Sequence, residues 1–435
     1  MNTYSSKELI AAVSDAYERT LELVGDLSDE QLLGPCLPTV NPLLWEIGHV
    51  AWFQEKWALR HTAGHAPLRP EADSLYDSAT IAHDTRWDLP LYSRVETLAY
   101  LRDVRDGIVS RLRQTEPTKD DAYFILLGVF HEDMHTEAFT YTRQRHAYTA
   151  PRLGCVSHSA DACGEEPEGE SAPLPGGDAY FPGGDFSLGA DPGDPFVFDN
   201  EKWGHVVRLE PFWIAKVPVT QSEYADFVLS GGYECQELWS AEGWAWRSSG
   251  DVRSPLYWRQ EGGGWARRDF DRWVPLEPRR PMLHVNWHEA SAYCRWARRR
   301  LPTEAEWELA ASWDAKAGRK RRYPWGDEPP SPERANLDWR SMGCLDVEAL
   351  PAGDSALGCR QMIGNGWEWT QTEFAPYPGF VVDPYKEYSE PWFHDHKVLR
   401  GGSWTTRSRL IRNTWRNFYK PDRCDVWAGF RTCAQ

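Results

Sequence analysis

The spacing of hydrophobic positions changes part-way along the chain. From Ser6 onward, Leu9, Ile10, Val13, Tyr17, Leu21 and Val24 recur at the three- and four-residue interval of a helix with one apolar face. A second helical run is NPLLWEIGHVAWFQEKWALR, with Asn41 expected as the N-cap and Pro42 at the first helical position. Ser93 and Glu96 have the spacing of a capping box and open a third, ETLAYLRDVRDGIVSRLR. The fourth is DDAYFILLGVFHEDMHTEAFTYTRQR. Four such helices within residues 1–150 predict a bundle, a scaffold that builds metal sites from side chains on facing helices.

Beyond this region the helical period stops. Residues 151–177, including CGEEPEGESAPLPGG, are acidic, rich in Pro, Gly and Ser, and read as a linker. From 178 to 435, short apolar runs alternate with turn dipeptides and tryptophans. Two helices stand out there, HEASAYCRWARRR (288–300) and one starting at Thr303 in LPTEAEWELAAS. This texture predicts an irregular α+β domain.

Composition narrows the picture. With 435 residues, 41% hydrophobic and 26% charged, the chain has the make-up of an ordinary globular protein of two or three domains. Its formal charge of −17 disfavours nucleic acid or an anionic membrane as partner. The basic runs Arg298-Arg299-Arg300 and RKRR (319–322) read as solvated faces or loops. No window approaches a membrane span, and MNTYSSKELIAAV lacks the basic-then-apolar order of a secretory signal. Nine scattered cysteines without a Cys-x-x-Cys pair suit a cytoplasmic protein with reduced thiols. The 24 tryptophans suit a loop-rich fold stitched by large rings, or a site for a cationic or aromatic ligand.

The candidate chemistry begins at HEDMH. His131 and His135 are four apart on a helix and share a face. The match to H-E-x-x-H gives a zinc-protease reading, with Glu132 as general base. The same spacing also arises as a polar pair inside a bundle, although a buried, uncompensated imidazole pair is costly. The protease reading lacks a downstream third ligand. Ala138 and Tyr141 replace the glycine and the closing histidine of the longer motif, and Glu165 and Glu166 fall in the linker. Upstream, His49 lies mid-helix beside Trp45, Trp52 and Phe53. His49, His131 and His135 together would form a three-histidine facial set with open positions, suited to iron(II) or zinc. Glu137 is expected to support this set from behind or to face solvent.

NPLLWEIGHVAWFQEKW together with HEDMHTE resembles the DinB-like helical domain of the iron(II) sulfoxide synthases of ergothioneine biosynthesis, the EgtB family. Six later stretches are similar to the formylglycine-generating-enzyme (sulfatase-modifying) fold: KVPVTQSEYADF (216–227), PMLHVNWHEASAYCRWARRRLPTEAEWELAA (281–311), YPWGDE (323–328), GNGWEWT (364–370), VLRGGSW (398–404) and AGFR (428–431). The resemblance implies a multidomain α and α+β fold. A DinB-like four-helix bundle at 1–150 carries the metal ligands. The linker at 151–177 follows, and then a formylglycine-generating-enzyme-like, C-type-lectin-like domain at 178–435. Thr406 and Ile411 stand where formylglycine-generating enzymes carry their two active cysteines, so that activity is not expected.

Further expectations come from the resemblance residue by residue. His49, His131 and His135 match iron(II) ligands, with O2 as co-substrate. Tyr377, in FAPYPGF, matches a tyrosine that delivers a proton or hydrogen atom to oxygen. Asn417 and Phe418, in WRNFYKPDR, match residues that cradle the betaine of hercynine, with Phe380 also facing substrate. An aromatic wall suits a quaternary ammonium. Arg423 matches an arginine that holds the donor's carboxylate, and Arg86, in AHDTRWDLPLYSR, retains a donor-binding role. Tyr419 stands where the family's ergothioneine members have an acid. Its hydroxyl suits a neutral polyol better than an ammonium group, and this variant resembles selenoneine synthases, which join hercynine to a selenosugar. The expected reaction is therefore oxidative C–Se bond formation. The alternatives are an ergothioneine-type sulfoxide synthase using gamma-glutamylcysteine or cysteine, a zinc protease, and a non-catalytic binding module. Partners are expected to be small molecules; the sequence leaves open the oligomeric state, for which a monomer is plausible, and whether a structural calcium sits near GNGWEWT.

Overall fold

A computed structural model describes residues 4–154 and 176–435. The chain divides into two compact units, 1–154 and 155–435. Residues 155–175 of the expected linker lie outside the described residues.

The first unit is helical: α1 (Ser6–Val24), α2 (Asp29–Leu33), α3 (Leu43–Gln54), α4 (Ala72–Tyr76), α5 (Arg94–Gln114) and α6 (Lys119–Arg145). Capping boxes at Ser5/Glu8, Ser93/Glu96 and Thr118/Asp121 satisfy the first amide groups and fix where the long helices begin. α1 packs on α5 and α6, and α3 packs on the same two helices. The core between them includes Leu9, Val13, Ile47, Val50, Val104, Ile108, Val129 and Phe139. The helix α6 is buried over most of its circumference, which explains why its apolar run YFILLGVF shows no polar face.

Two local features depart from expectation. Asn41 does not cap α3. Pro42 occupies the N-cap without a side-chain hydrogen bond, and the Asn41 amide instead binds Glu46 and Arg86. The helix also does not continue regularly to Arg60, because Glu55–His61 widen into a π-helical turn. There the buried Glu55 carboxylate accepts from the Tyr100 hydroxyl and from the Leu68 amide at 2.7 Å. Tertiary hydrogen bonds, invisible in the spacing of apolar residues, accompany both changes.

The second unit runs β1 (Asp178–Phe181), β2 (Gly184–Leu188), β3 (His205–Leu209), β4 (Phe212–Ala215), α7 (Gln221–Leu229), α8 (Ala241–Ser249), β5 (Trp258–Glu261), β6 (Gly264–Asp269), β7 (Arg272–Pro275), α9 (Trp287–Trp296), β8 (Arg299–Arg300), α10 (Glu304–Ser312), β9 (Trp313–Asp314), β10 (Arg319–Lys320), β11 (Trp367–Glu373), β12 (Lys397–Arg400), β13 (Asn417–Tyr419), β14 (Ala428–Gly429) and β15 (Cys433–Ala434). Its sheets have the orders β1-β4-β15-β8, β13-β12-β11-β14 and β5-β6-β7, plus the hairpins β2-β3 and β9-β10. Antiparallel pairing of Val398 with Phe418 and Leu399 with Asn417 fixes β13 beside β12. Phe181, Phe186, Phe212, Ile214, Trp307 and Met362 form the apolar core. Fully buried arginines supplement it: Arg400 pairs with Glu304 and Glu308, and Arg431 with Glu368. Such pairs tolerate burial because each charge is answered.

The expected helix 288–300 ends at Trp296, where Arg298 takes a left-handed φ of 54° and the chain turns into β8. The basic runs are not merely solvated. Arg299 binds Asp178 at 2.8 Å, Arg300 binds Glu306 at 2.6 Å, and Lys320 binds the buried Glu308 at 2.5 Å. Thr406 and Ile411 both adjoin Gly402 in the interior, and neither offers a thiol. Among the described residues, no helix is long and apolar enough to cross a membrane.

Candidate metal centre

Three imidazoles converge in the first unit. His49 comes from α3, and His131 and His135 from successive turns of α6. Their ring centroids are 5.0 Å (His49–His131), 5.0 Å (His49–His135) and 4.6 Å (His131–His135) apart. One nitrogen from each lies within 4.8 Å of the others. This is the one group of His, Cys, Asp or Glu among the described residues that could hold a metal ion. Trp45 stacks on His49 at 4.9 Å and 9°, and Phe53 stacks on His131 at 3.7 Å and 9°. These rings restrict the imidazoles to one plane each.

Hydrogen bonds set the tautomers. His49 Nδ1 lies 2.7 Å from the Tyr76 carbonyl, which can only accept, so Nδ1 carries the proton. His135 Nδ1 lies 3.0 Å from Glu46 Oε1, which fixes its proton in the same way. In both rings Nε2 is then the nitrogen left to face an ion. Burial holds His49 and His131 well below the ordinary imidazole pKa, and the neighbouring histidines push the same way. Three imidazole nitrogens this close together, in a space only 3–5% exposed at His49 and His131, are a donor set suited to a divalent cation. The residues therefore fit a metal.

Glu132 is held elsewhere. It is fully buried, accepts from Thr20 Oγ1 at 2.6 Å, and accepts from the Gln54 side chain. It ties α1, α3 and α6 together rather than presenting a base to a metal-bound water, which removes the central step of the zinc-protease reading. Glu137 is only 6% exposed, so the helix-surface expectation for it does not hold.

Arg86 is 9% exposed. It donates to Asn41 Oδ1 at 2.6 Å and to the Ile81 carbonyl at 3.2 Å, and its guanidinium lies 3.9 Å from the Trp45 ring. It braces the aromatic wall behind His49.

The remaining expected site residues lie in the second unit. Phe418 is half-buried in β13 and stacks on Phe374 at 4.0 Å, with His396 5.8 Å and Tyr388 6.2 Å away. Asn417 accepts from the Phe418 amide at 2.8 Å. Phe380 packs edge-on against Phe393 at 5.2 Å. Tyr419 ends the same strand, with the Arg423 guanidinium 5.3 Å from its ring, and Arg423 is itself paired with Asp425. Tyr377 is 6% exposed in the apolar core. Its hydroxyl donates to Glu304 at 3.2 Å, and Arg416 lies over its ring at 4.1 Å. Burial holds the phenol well above its ordinary range.

The structure gives a calcium near GNGWEWT no support. The Asn365 side chain is spent on Asn336, Leu345 and Gln361, and Glu368 is paired with Arg431.

Sequence reasoning missed Glu46 and the Tyr76 carbonyl, which orient the histidines, and gave Asn41, which holds Glu46, the role of a helix cap. Glu46 was discoverable, because it stands one helical turn before His49. The carbonyl of Tyr76 comes from a separate short helix and has no signature in the sequence.

Comparison with known proteins places this geometry. Residues 12–138 match the DinB superfamily, and residues 168–435 match the sulfatase-modifying factor enzyme 1-like domain. The chain is 37% identical to the hercynine oxygenase of Mycolicibacterium thermoresistibile, covering 98% of this chain and 94% of that one. It is 37% identical to the hercynine oxygenase of Mycobacterium tuberculosis, covering 98% of each. The formylglycine-generating enzyme of Streptomyces coelicolor is 33% identical over 59% of this chain and 88% of its own. The chain belongs to the EgtB-like family of hercynine oxygenases, in which a DinB-type helical region precedes a sulfatase-modifying-factor-like domain.

Proposed function

We propose that the protein is a non-haem iron(II)- and O2-dependent oxidoreductase that joins a chalcogen donor to the imidazole carbon of hercynine, with a selenosugar as the preferred donor. One observation carries the reading: a largely buried three-histidine cluster in a chain similar over its whole length to hercynine oxygenases. Iron, when bound, would supply coordination for O2 and for the donor's chalcogen. His49, His131 and His135 would hold it. The stacked Trp45 and Phe53 keep those ligands in place and exclude water. Around Phe418, the rings of Phe374, Tyr388 and His396 form an aromatic surface suited to a trimethylammonium group. Asn417 and Phe380 flank the same reading. Tyr377 would deliver the proton. Because its hydroxyl is bonded to Glu304, delivery requires that bond to open.

The donor preference rests on Tyr419 and Arg423. Gamma-glutamylcysteine carries an ammonium and carboxylates, and needs opposite charges to receive them. Tyr419 offers no charge, and the charge on Arg423 is already answered by Asp425. A neutral sugar selenol suits such a site better. The test is a turnover assay of metal-stripped and iron-restored enzyme, offering hercynine with a selenosugar, a thiosugar, cysteine or gamma-glutamylcysteine. Selenoneine-type product formed fastest, and only with iron restored, is the expected result. Faster coupling of gamma-glutamylcysteine would replace the selenium reading with the sulfur one. Full iron content in His49→Ala would overturn the ligand assignment.

A further inference from the structure

Glu46 precedes His49 by three residues on α3, so the two share a face. Its carboxylate is 2% exposed. Oε1 lies 3.0 Å from His135 Nδ1 and accepts from Asn41 Nδ2 at 3.2 Å, while Oε2 is buried without a hydrogen-bond partner. A buried carboxylate is costly unless its charge is answered. Here the direct partners are an amide and an imidazole nitrogen. The Arg86 cation is linked to it through Asn41, whose Oδ1 accepts from Arg86 at 2.6 Å. One turn of α3 thus supplies both a histidine of the cluster and the carboxylate that grips a second histidine on α6.

We propose that Glu46 is a positioning and charge-balancing residue of the metal centre. It fixes the Nδ1–H tautomer of His135, turns Nε2 toward the ion, and offsets part of the double positive charge that the buried histidines would otherwise face alone. The proposal rests on the three-histidine reading above. A carboxylate behind a ligating imidazole makes the ring a stronger donor and favours the more highly charged oxidation state.

The test uses full-length protein stripped of metal. Wild type, Glu46→Gln and Glu46→Ala are titrated with cobalt(II), followed by visible absorption, and the iron-loaded forms are titrated for the Fe(III)/Fe(II) midpoint. Glu46→Gln keeps the shape and an acceptor oxygen but loses the charge, and Glu46→Ala loses all three. Cobalt affinity is expected to fall about 10–100-fold in Glu46→Ala, the range seen when such supporting groups are removed, and by less in Glu46→Gln. The midpoint of Glu46→Gln is expected to rise, a change that loss of packing alone does not produce. If Glu46→Ala does not fold, the affinity and midpoint of Glu46→Gln decide. Variants that bind cobalt within about twofold of wild type, or an unchanged midpoint in Glu46→Gln, would overturn the role of Glu46 while leaving the three-histidine centre standing. A wild-type protein that binds neither cobalt nor iron would overturn both.

Discussion

Glu132 separates a structural brace from a catalytic base. It is fully buried and receives hydrogen bonds from Thr20 at 2.6 Å and from Gln54. Hydrogen bonds to a charged group contribute about 1.5–3 kcal/mol each. Glu132→Ala removes the acceptor and strands the Thr20 hydroxyl and the Gln54 amide in the interior. The expected cost is about 3–5 kcal/mol. For a unit of this size, a melting shift of about 2–4 °C per kcal/mol gives a fall of roughly 6–20 °C. Glu132→Gln keeps one acceptor for Thr20 and should fall much less. The assay combines melting followed by helical circular dichroism, iron per folded chain, and coupling rate per iron-loaded molecule. The brace predicts a large drop in stability with iron content and rate per loaded molecule retained. Unchanged melting with lost activity in Glu132→Ala would refute the reasoning and restore a general base in HEDMH.

Three more expectations follow from the same geometry. In Tyr377→Phe the coupled product should fall by about 10²–10⁴-fold, in favour of oxidation of the donor alone, with little loss of stability because Arg400 and Arg416 still satisfy Glu304; an unchanged rate and product ratio would make Tyr377 a core brace. His49 and His131 are kept neutral in the fold, so their contribution to stability is complete above the unfolded pKa of about 6.5 and is lost as pH falls below it. Metal-free protein should therefore lose about 1.4 kcal/mol per pH unit for each, and the acid slope should shrink by about that amount in His131→Gln; equal slopes in the two proteins would contradict their burial as neutral groups. Tyr419→Asp should shift the donor preference toward gamma-glutamylcysteine, read as a ratio of kcat/KM values, and no change in that ratio would remove Tyr419 from donor selection.

The legibility of the chain tracks the range of the interactions involved. Helix starts at Ser93 and Thr303 were readable because a cap and its partner lie three residues apart. The histidine pair was readable for the same local reason, and His49 because it interrupts an apolar face. What could not be read depends on distant partners. Asn41 has the form of an N-cap, yet Glu46 and Arg86 claim its amide. RKRR looks like a solvated run, yet Lys320 reaches the buried Glu308. Tyr377 looks like a turn residue before Pro378-Gly379, yet the core closes over it. In each case a contact between elements far apart in sequence decides the side chain's role.

This difference in range bears on how the activity can change. The histidines, Glu46 and the stacked rings of Trp45 and Phe53 occupy regular helices, where displacing one ligand disturbs stacked rings and a shared hydrogen-bond network. Changes there cost both metal and fold. The residues assigned to the donor lie on a three-residue strand and the loop after it, where Tyr419 meets Arg423 and Arg423 meets Asp425. A charge gained or lost at Tyr419 or Asp425 would alter which donor is received without touching an imidazole. On the proposed reading, the metal chemistry is therefore held fixed by the helices while donor choice remains open to one or two substitutions. Arg423 then matters most through its partner, because freeing it from Asp425 would restore a cation able to receive a donor carboxylate.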